Sequence, residues 1–433
     1  MLANYLQTVR LFSRDLRIFL VTAVLVGVAW DGIRTVLFNL YVLRLGYGPE
    51  SVGLINSIGG LAFALMCLPA GALGTRYGSR NMLISGLGLL AAGFFLLPVA
   101  ELLAAAWRTA SLLATTLLAY FGYALYLVNG LPFLMEATGP EERSHAFSVH
   151  IALVPLAAFA GSLLAGLLPG AAASLLGRSL EEAVAYRYPL WLAALLLVPS
   201  VLVLLPGHSM ARQNAPSVAA AAAVPASGAS AGRAGIVPYG LILIIGLIMG
   251  LRFAGRGTVL TFFNVYLDDG LGASAALIGA LAAAGQLLAI PAALLAPLLT
   301  ARWSITRTIL WGSLGMALFA LPLALIPHWA TAGAGFAAVM ASFMLTAGPM
   351  RMFSQELVAP RWRATMASSF MLGQGLALFV AALAGGYIIV SLGYRALFLV
   401  AAGLMGAGAL LFWSRFHSPG REGVRQPSAK AGQ

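Results

Sequence analysis

The chain has 433 residues, of which 61% are hydrophobic and 9% charged, with a mean hydropathy of +0.93. A soluble domain carries roughly 25% charged residues because its surface faces water, so this composition excludes a water-soluble globule. The formal charge of +12 fits basic loops beside a membrane better than a nucleic-acid partner.

The apolar runs are long and do not alternate, which selects membrane-spanning helices over barrel strands. The fold expected is all-α and integral to the membrane. Residues 8–17, TVRLFSRDLR, read as a short basic interfacial helix. No cleavable leader is expected, because the first apolar run is too long and contains charges. About twelve spans follow, at 18–41, 51–73, 81–100, 109–135, 145–168, 188–206, 237–266, 275–299, 306–326, 330–352, 364–390 and 394–414. Residues 211–235 are rich in Ala, Ser, Pro and Gly and read as a flexible linker. The expected organisation is a six-helix bundle over 1–206, a linker over 207–235, a second bundle over 236–416 and a disordered tail over 417–433.

An even number of spans puts both termini on one side. Arg76, Arg80, Arg143, Arg302, Arg307 and Arg363 share that side, while Glu50, Glu101, Glu181, Glu182, Asp268 and Asp269 gather on the other. The positive-inside rule then places the termini in the cytoplasm of a multi-pass cell-membrane protein. Cys67 is the sole cysteine, so no internal disulfide exists.

The two halves look related. Glu136, Pro140, Arg143 and Ser148 recur as Glu356, Pro360, Arg363 and Ser368, each pair the same distance apart (356 − 136 = 220). FNLY at 38–41 likewise resembles FNVY at 263–266, with a shift of 225. Internal repeats of this kind build transporters whose substrate site lies near the midplane between halves.

Between the second and third spans the chain reads GALGTRYGSRN, residues 71–81. This resembles the signature loop of the major facilitator superfamily, roughly Gly-x-Leu-Ala-Asp-Arg-x-Gly-Arg-Arg/Lys. Gly71, Leu73, Arg76, Gly78 and Arg80 match it, while Thr75 stands at the family's Asp position and Ser79 at a basic one. The resemblance implies a cytoplasmic gate in which Arg76 and Arg80 reach Glu136, with Arg143, Glu356 and Arg363 at the same end. Thr75 carries no charge; it can accept a hydrogen bond and, at a helix end, can cap backbone N–H groups. The alternative reading of these groups is topology anchors. An arginine inside span four, typical of proton-coupled exporters, is absent from residues 109–130, and the antiporter pattern in span five is not convincing despite Gly161, Gly166 and Pro169.

The first span contains AWDGIRTVLF, residues 29–38. Two charges near a span's centre cost about +2.5 to +3.5 kcal/mol each, which offsets about −5 kcal/mol from about twelve apolar residues. Asp31 and Arg34 are therefore expected to face protein or water. Span seven repeats the device with Arg252 and Arg256, and the shift of 225 brings Asp31 onto Arg256. The resemblance implies that spans one and seven both line a central cavity. One reading is a structural ion pair between Asp31 and Arg256 or Arg252. The other is a site for a small anion or zwitterion, because three guanidiniums exceed one carboxylate, Arg does not deprotonate, and its planar fork suits carboxylate or phosphate. Asn39 and Asn264, repeat-related amides, join the candidate substrate-binding residues. Asn56, Asn129, Gln286 and Gln374 read more readily as helix–helix hydrogen bonds. His150 reads as a solvated histidine near a loop. Trp107, Tyr188 and Trp413 read as interfacial anchors.

The favoured function is a secondary transporter, symporter or antiporter, that moves a small organic anion or zwitterion by alternating access. The alternative is proton-coupled efflux of amphipathic compounds. Neither cofactor nor metal is expected: His145, His150, His208, His328 and His417 are scattered, and no ATP-binding loop exists. The expected partners are the small-molecule substrate, a proton or counter-ion, and lipid, around a monomer. An enzyme is not expected.

Overall fold

The computed structural model describes residues 12–139, 142–205, 239–359 and 362–416. The expected linker and tail, and residues 8–11, lie outside the described residues. Among the described residues, eleven helices are long and apolar enough to cross a membrane. The last, Arg363–Phe416, is two helices joined at Gly393, whose φ of 81° no helix can contain. Twelve crossing segments result, arranged as two six-helix bundles.

In chain order the first bundle comprises α1 (Arg14–Arg44), α2 (Pro49–Tyr77), α3 (Ser79–Leu102), α4 (Ala105–Glu136), α5 (Arg143–Leu176) and α6 (Val184–Leu204). The second comprises α7 (Gly240–Gly270), α8 (Ala275–Trp303), α9 (Ile305–Leu325), α10 (Trp329–Glu356), and α11 and α12, the arms of Arg363–Phe416 before and after Gly393. Arg14 and Phe416 lie at one end of the bundle, here the terminal end. The end carrying the α1–α2 and α7–α8 joints is the distal end.

The separate interfacial helix expected at the N-terminus is corrected for residues 14–17, which form the first turn of α1. Ser13 caps that turn by accepting from the Leu16 N–H, and its hydroxyl donates to the Ala137 carbonyl at 2.8 Å. The cap and the tie to α4 leave no break at which a second helix could start.

α1 widens to a π-helical stretch over Gly27–Arg34. A side chain at Gly27 would meet Ala157, and one at Gly32 would meet the backbone of Gly161, so α1 and α5 pack backbone to backbone here. Gly161 serves this contact within the first bundle. A π turn is often found at a functional site because it re-aims side chains relative to the helix; here it carries Trp30, Asp31 and Arg34.

The repeat read from short matches extends to the backbone. The described residues with positive φ are Gly46, Gly78, Gly177, Gly272, Ser304 and Gly393. They fall into three pairs at equivalent joints: Gly46 with Gly272, Gly78 with Ser304, and Gly177 with Gly393. The second pair is the most telling. Gly78 (φ 87°, ψ 144°) and Ser304 (φ 89°, ψ 156°) turn the chain between helices in nearly the same conformation. That region favours glycine and costs other residues about 1–3 kcal/mol. Ser304 offsets part of the strain by capping α9, accepting from the Arg307 N–H at 3.4 Å.

The bundles meet along α2–α11 and α5–α8. Gly53 lies against the Ala382 carbonyl and Gly386, Gly60 against Phe379 and Gly375, and Gly166 against Gly279. Small residues let these backbones touch without side chains between them.

The backbone comparison predicts opposite effects at the paired turns. Gly78→Ala lowers the midpoint of thermal unfolding in detergent. Ser304→Gly raises it, because strain relief exceeds the few tenths of a kcal/mol lost when glycine replaces a serine cap.

Candidate functional site

The π stretch of α1 and the middle of α7 bring Asp31 and Arg256 into the space between the bundles, both half-buried. The charges that act on Asp31 are those of Arg256 and Arg34. Among the described residues no basic group comes within 4.0 Å of the Asp31 carboxylate, so the two facing charges do not close into a contact pair. The Arg256 guanidinium lies 4.0 Å from the ring centre of Phe343 on α10, and its Nε has no hydrogen-bond partner. Tyr123 and Tyr126 of α4 lie within the field of Asp31. The site thus draws on α1, α4, α7 and α10.

The other two arginines sit inside their own bundles. Arg34 is 9% exposed. Its guanidinium carbon lies over three rings, at 4.3 Å from Trp30 and 4.8 Å from both Phe38 and Tyr120. Each distance falls within the range of cation–π attraction. Arg252 is 3% exposed; its Nη2 donates to the Thr346 hydroxyl and lies 3.9 Å from the Met316 sulfur. Gly408 leaves room for its stem. The Nε of Arg252 and the Nη2 of Arg34 are without partners.

Asn39 and Asn264 meet directly between the bundles. Asn39 Nδ2 donates to Asn264 Oδ1 at 3.1 Å and to the Thr261 carbonyl at 2.6 Å. Asn264 Nδ2 donates to the Thr35 and Val36 carbonyls, and Asn56 Nδ2 donates to Asn39 Oδ1 at 2.8 Å. One helical turn further on, Arg44 grips Asp268 through two bonds of 2.7 and 2.8 Å. With the glycine contacts, these bonds close the distal end.

Tyr123, Tyr126, Phe343 and the ring set around Arg34 were not singled out from sequence. Their signal was present: AYFGYALY, residues 119–126, spaces polar-tipped rings at one-turn intervals in the middle of a span, far from the interfaces where tyrosine is common. Arg351, whose guanidinium lies 5.9 Å from the Phe370 ring, was also passed over.

A family profile described as Major Facilitator Superfamily matches residues 19–382 and, in a second overlapping match, 247–433. The chain belongs to the Major Facilitator Superfamily. Its fold is shared with solved transporters of that architecture. A mutant of the nucleoside transporter NupG is 16% identical with a TM-score of 0.71, over 93% of this chain and 100% of that one. A D-xylose-proton symporter is 16% identical with a TM-score of 0.71, over 92% and 97%. A mutant of the peptide transporter POT in complex with sulfate is 15% identical with a TM-score of 0.68, over 93% and 94%. No curated protein sequence matches.

Within the superfamily signature loop, the expected pairing is corrected. The Glu136 carboxylate accepts from the Ser79 hydroxyl, which stands where the family has a basic residue. Arg80 turns to the end of α6, donating to the Leu204 carbonyl at 2.8 and 3.1 Å, and pairs with Asp15 at 3.5 Å. A cation beside exposed carbonyls at a helix C-terminus complements the helix dipole. Arg76 packs 5.2 Å from the Tyr77 ring. Arg143 donates to the Met135 and Thr138 carbonyls. Gly71 has the Val128 side chain 3.9 Å from its Cβ position. Glu356 ends α10, and the side chain of Arg363 lies outside the described residues. Thr75 does not cap: its hydroxyl donates to the Ala72 carbonyl at 2.8 Å within α2. His150, expected in solvent, is half-buried with its ring centre 5.3 Å from that of Phe19. Asn129 is a helix–helix tie, donating to Ala70 of α2 at 3.1 Å. Trp107, Tyr188 and Trp413 are exposed on the bundle surface.

The distal closure is testable by accessibility. With Cys67→Ser removing the native thiol, Val52→Cys places a reporter at a fully buried distal position of α2. Arg44→Ala or Asp268→Ala raises its labelling by a membrane-impermeant maleimide severalfold, and the swap Arg44→Asp with Asp268→Arg returns it towards the parent rate.

Proposed function

We propose that the protein is a secondary transporter that moves a small organic anion or zwitterion through the space between Asp31 and Arg256. The observation that carries this reading is the open pairing of those two groups midway along the bundle. Arg256 keeps its charge, one guanidinium nitrogen lacks a partner, and its nearest carboxylate is shared with Arg34. A buried guanidinium without a matched acid is costly, and a ligand carboxylate or phosphate supplies both charge and acceptors for its fork. A ligand ammonium group would find Asp31 on the other side. Sulfate bound to a peptide transporter of the same fold is in keeping with an anion-binding cavity in such an architecture.

The termini are taken to be cytoplasmic, from the positive-inside asymmetry. The closed distal end is then the outer one. Transport consists of loading from the cytoplasmic side or release into it, followed by rocking of the two bundles about the central site. Asp31 is the carboxylate placed to exchange a proton with that site.

A second reading, proton-coupled efflux of amphipathic compounds, draws on the rings beside Asp31. Trp30 and Tyr123 stack with centres 4.3 Å apart, Tyr120 meets Trp30 edge-on at 4.9 Å, and Phe63 lies 6.0 Å from Tyr123. Such faces suit a flat apolar cargo. The arginines favour the first reading because apolar cations gain nothing from them.

A thermal-shift screen of purified protein against organic anions, amphipathic cations and sugars separates the two. Anions raise the unfolding temperature of the wild type and not of Arg256→Ala. In vesicles, counterflow of an anion so identified falls about tenfold or more in that variant, the scale of one lost charged hydrogen-bond pair. Stabilisation by amphipathic cations alone, with dye extrusion collapsed by an uncoupler, sinks the anion reading.

A further inference from the structure

Beside Arg34 a partly open cavity of about 10 Å³ lies among α1, α3 and α4. That volume admits one water-sized sphere. Phe38, Phe94, Leu97 and Ala119 form apolar walls. The polar groups that line it are Arg34 and two threonines, Thr115 and Thr116.

Two buried atoms among these lack partners: Arg34 Nη2 and Thr116 Oγ1. Thr116 is only 2% exposed and Arg34 only 9%. The neighbouring threonine is the natural control. Thr115 turns its hydroxyl back to the Ser111 and Leu112 carbonyls at 2.8 and 3.2 Å, the usual habit of a threonine within a membrane helix. Thr116, one residue on in the same helix, makes no such bond. Its hydroxyl is left free to donate into the cavity, beside a guanidinium N–H that can only donate.

Charge selects the occupant. Water can accept from Arg34, but it brings no charge. Arg34 is buried and, as a guanidinium, cationic, and among the described residues no carboxylate lies within 4.0 Å of it. The three rings around the guanidinium supply quadrupoles rather than a counter-ion. We propose that this cavity is a binding site for a monatomic halide, chloride in the cell, held between Arg34 Nη2 and Thr116 Oγ1. The site lies wholly within the first bundle and is separate from the substrate space. It neutralises Arg34, leaving Asp31 to Arg256 and to cargo.

The test uses purified full-length protein and sodium chloride against sodium gluconate at constant ionic strength. Chloride raises the unfolding temperature saturably in the wild type and, with lower affinity, in Arg256→Ala, where Asp31 is released towards Arg34. Thr116→Val, nearly isosteric but without a donor, weakens the apparent chloride affinity about tenfold or more; Thr116→Leu, which fills the cavity, abolishes the response. Crystals soaked in bromide give an anomalous peak between Arg34 and Thr116. Two results overturn the proposal: an unaltered chloride response in Thr116→Val, or a water at the cavity with no bromide peak. Should Thr116→Leu fail to fold, the valine variant and the bromide peak still decide.

Discussion

A guanidinium cannot shed its charge inside a membrane-thick bundle, and three of them lie midway along α1 and α7. Each is met differently. Arg34 rests among the faces of Trp30, Phe38 and Tyr120; Arg252 donates to Thr346; Arg256 lies over Phe343 and faces Asp31 without closing on it. None forms the two-pronged bond that Arg44 makes with Asp268 at the distal end. Where the protein needs a finished ion pair, it has built one. The arrangements of Arg34, Arg252 and Arg256 lie in the middle of the bundle.

The repeat explains why those residues meet at all. In two halves related by an approximate two-fold, equivalent positions on α1 and α7 face one another across the axis. Such a position is easily filled by an amide, which donates and accepts and so complements its own copy; Asn39 and Asn264 do this at 3.1 Å. An arginine or aspartate at both copies would face its own charge. The halves therefore had to diverge at the next such position, and Asp31 opposite Arg256 is the outcome. The same reasoning covers Gly78 and Ser304: the turn was kept in both halves, although only one kept the residue that adopts it without strain.

Legibility in the sequence followed range of interaction. Span number, the two bundles, the repeat and the signature loop rest on composition and local order, and these were readable. So was the identity of the charged residues, because a charge among apolar neighbours stands out. Their partners were not readable. Glu136 lies the same distance from Ser79 in the fold whether or not Arg76 and Arg80 look more suitable on paper, and Arg80 chose the Leu204 carbonyl at the end of α6, 124 residues away. The division of the arginines also escaped detection: Arg252 and Arg256 are one turn apart, yet only the second reaches the space between bundles, since Gly408 opens a slot for the first. Helical phase at a π turn adds to the difficulty, as the usual spacing rules do not hold through Gly27–Arg34.

This division bears on how cargo could drive motion. A ligand shifts a conformational equilibrium only through contacts that differ between the two states. Arg34 and Arg252 are held by residues of their own bundle and travel with it, so their surroundings change little when the bundles rock. The groups that straddle the gap include Asp31 with Arg256, the Asn39–Asn264 pair with its bonds to Thr261, Thr35 and Val36, and Arg44 with Asp268. Opening the distal end exchanges the last two sets for water, at a net cost of about 0.5–1.5 kcal/mol for a neutral bond and about 1.5–3 kcal/mol for a charged one. A ligand bound across Asp31 and Arg256 acts against that cost and against the apolar contacts that join the halves there. The glycine contacts at Gly53, Gly60 and Gly166 bring backbones close through dispersion alone, and no interlocking side chain has to be withdrawn when they part.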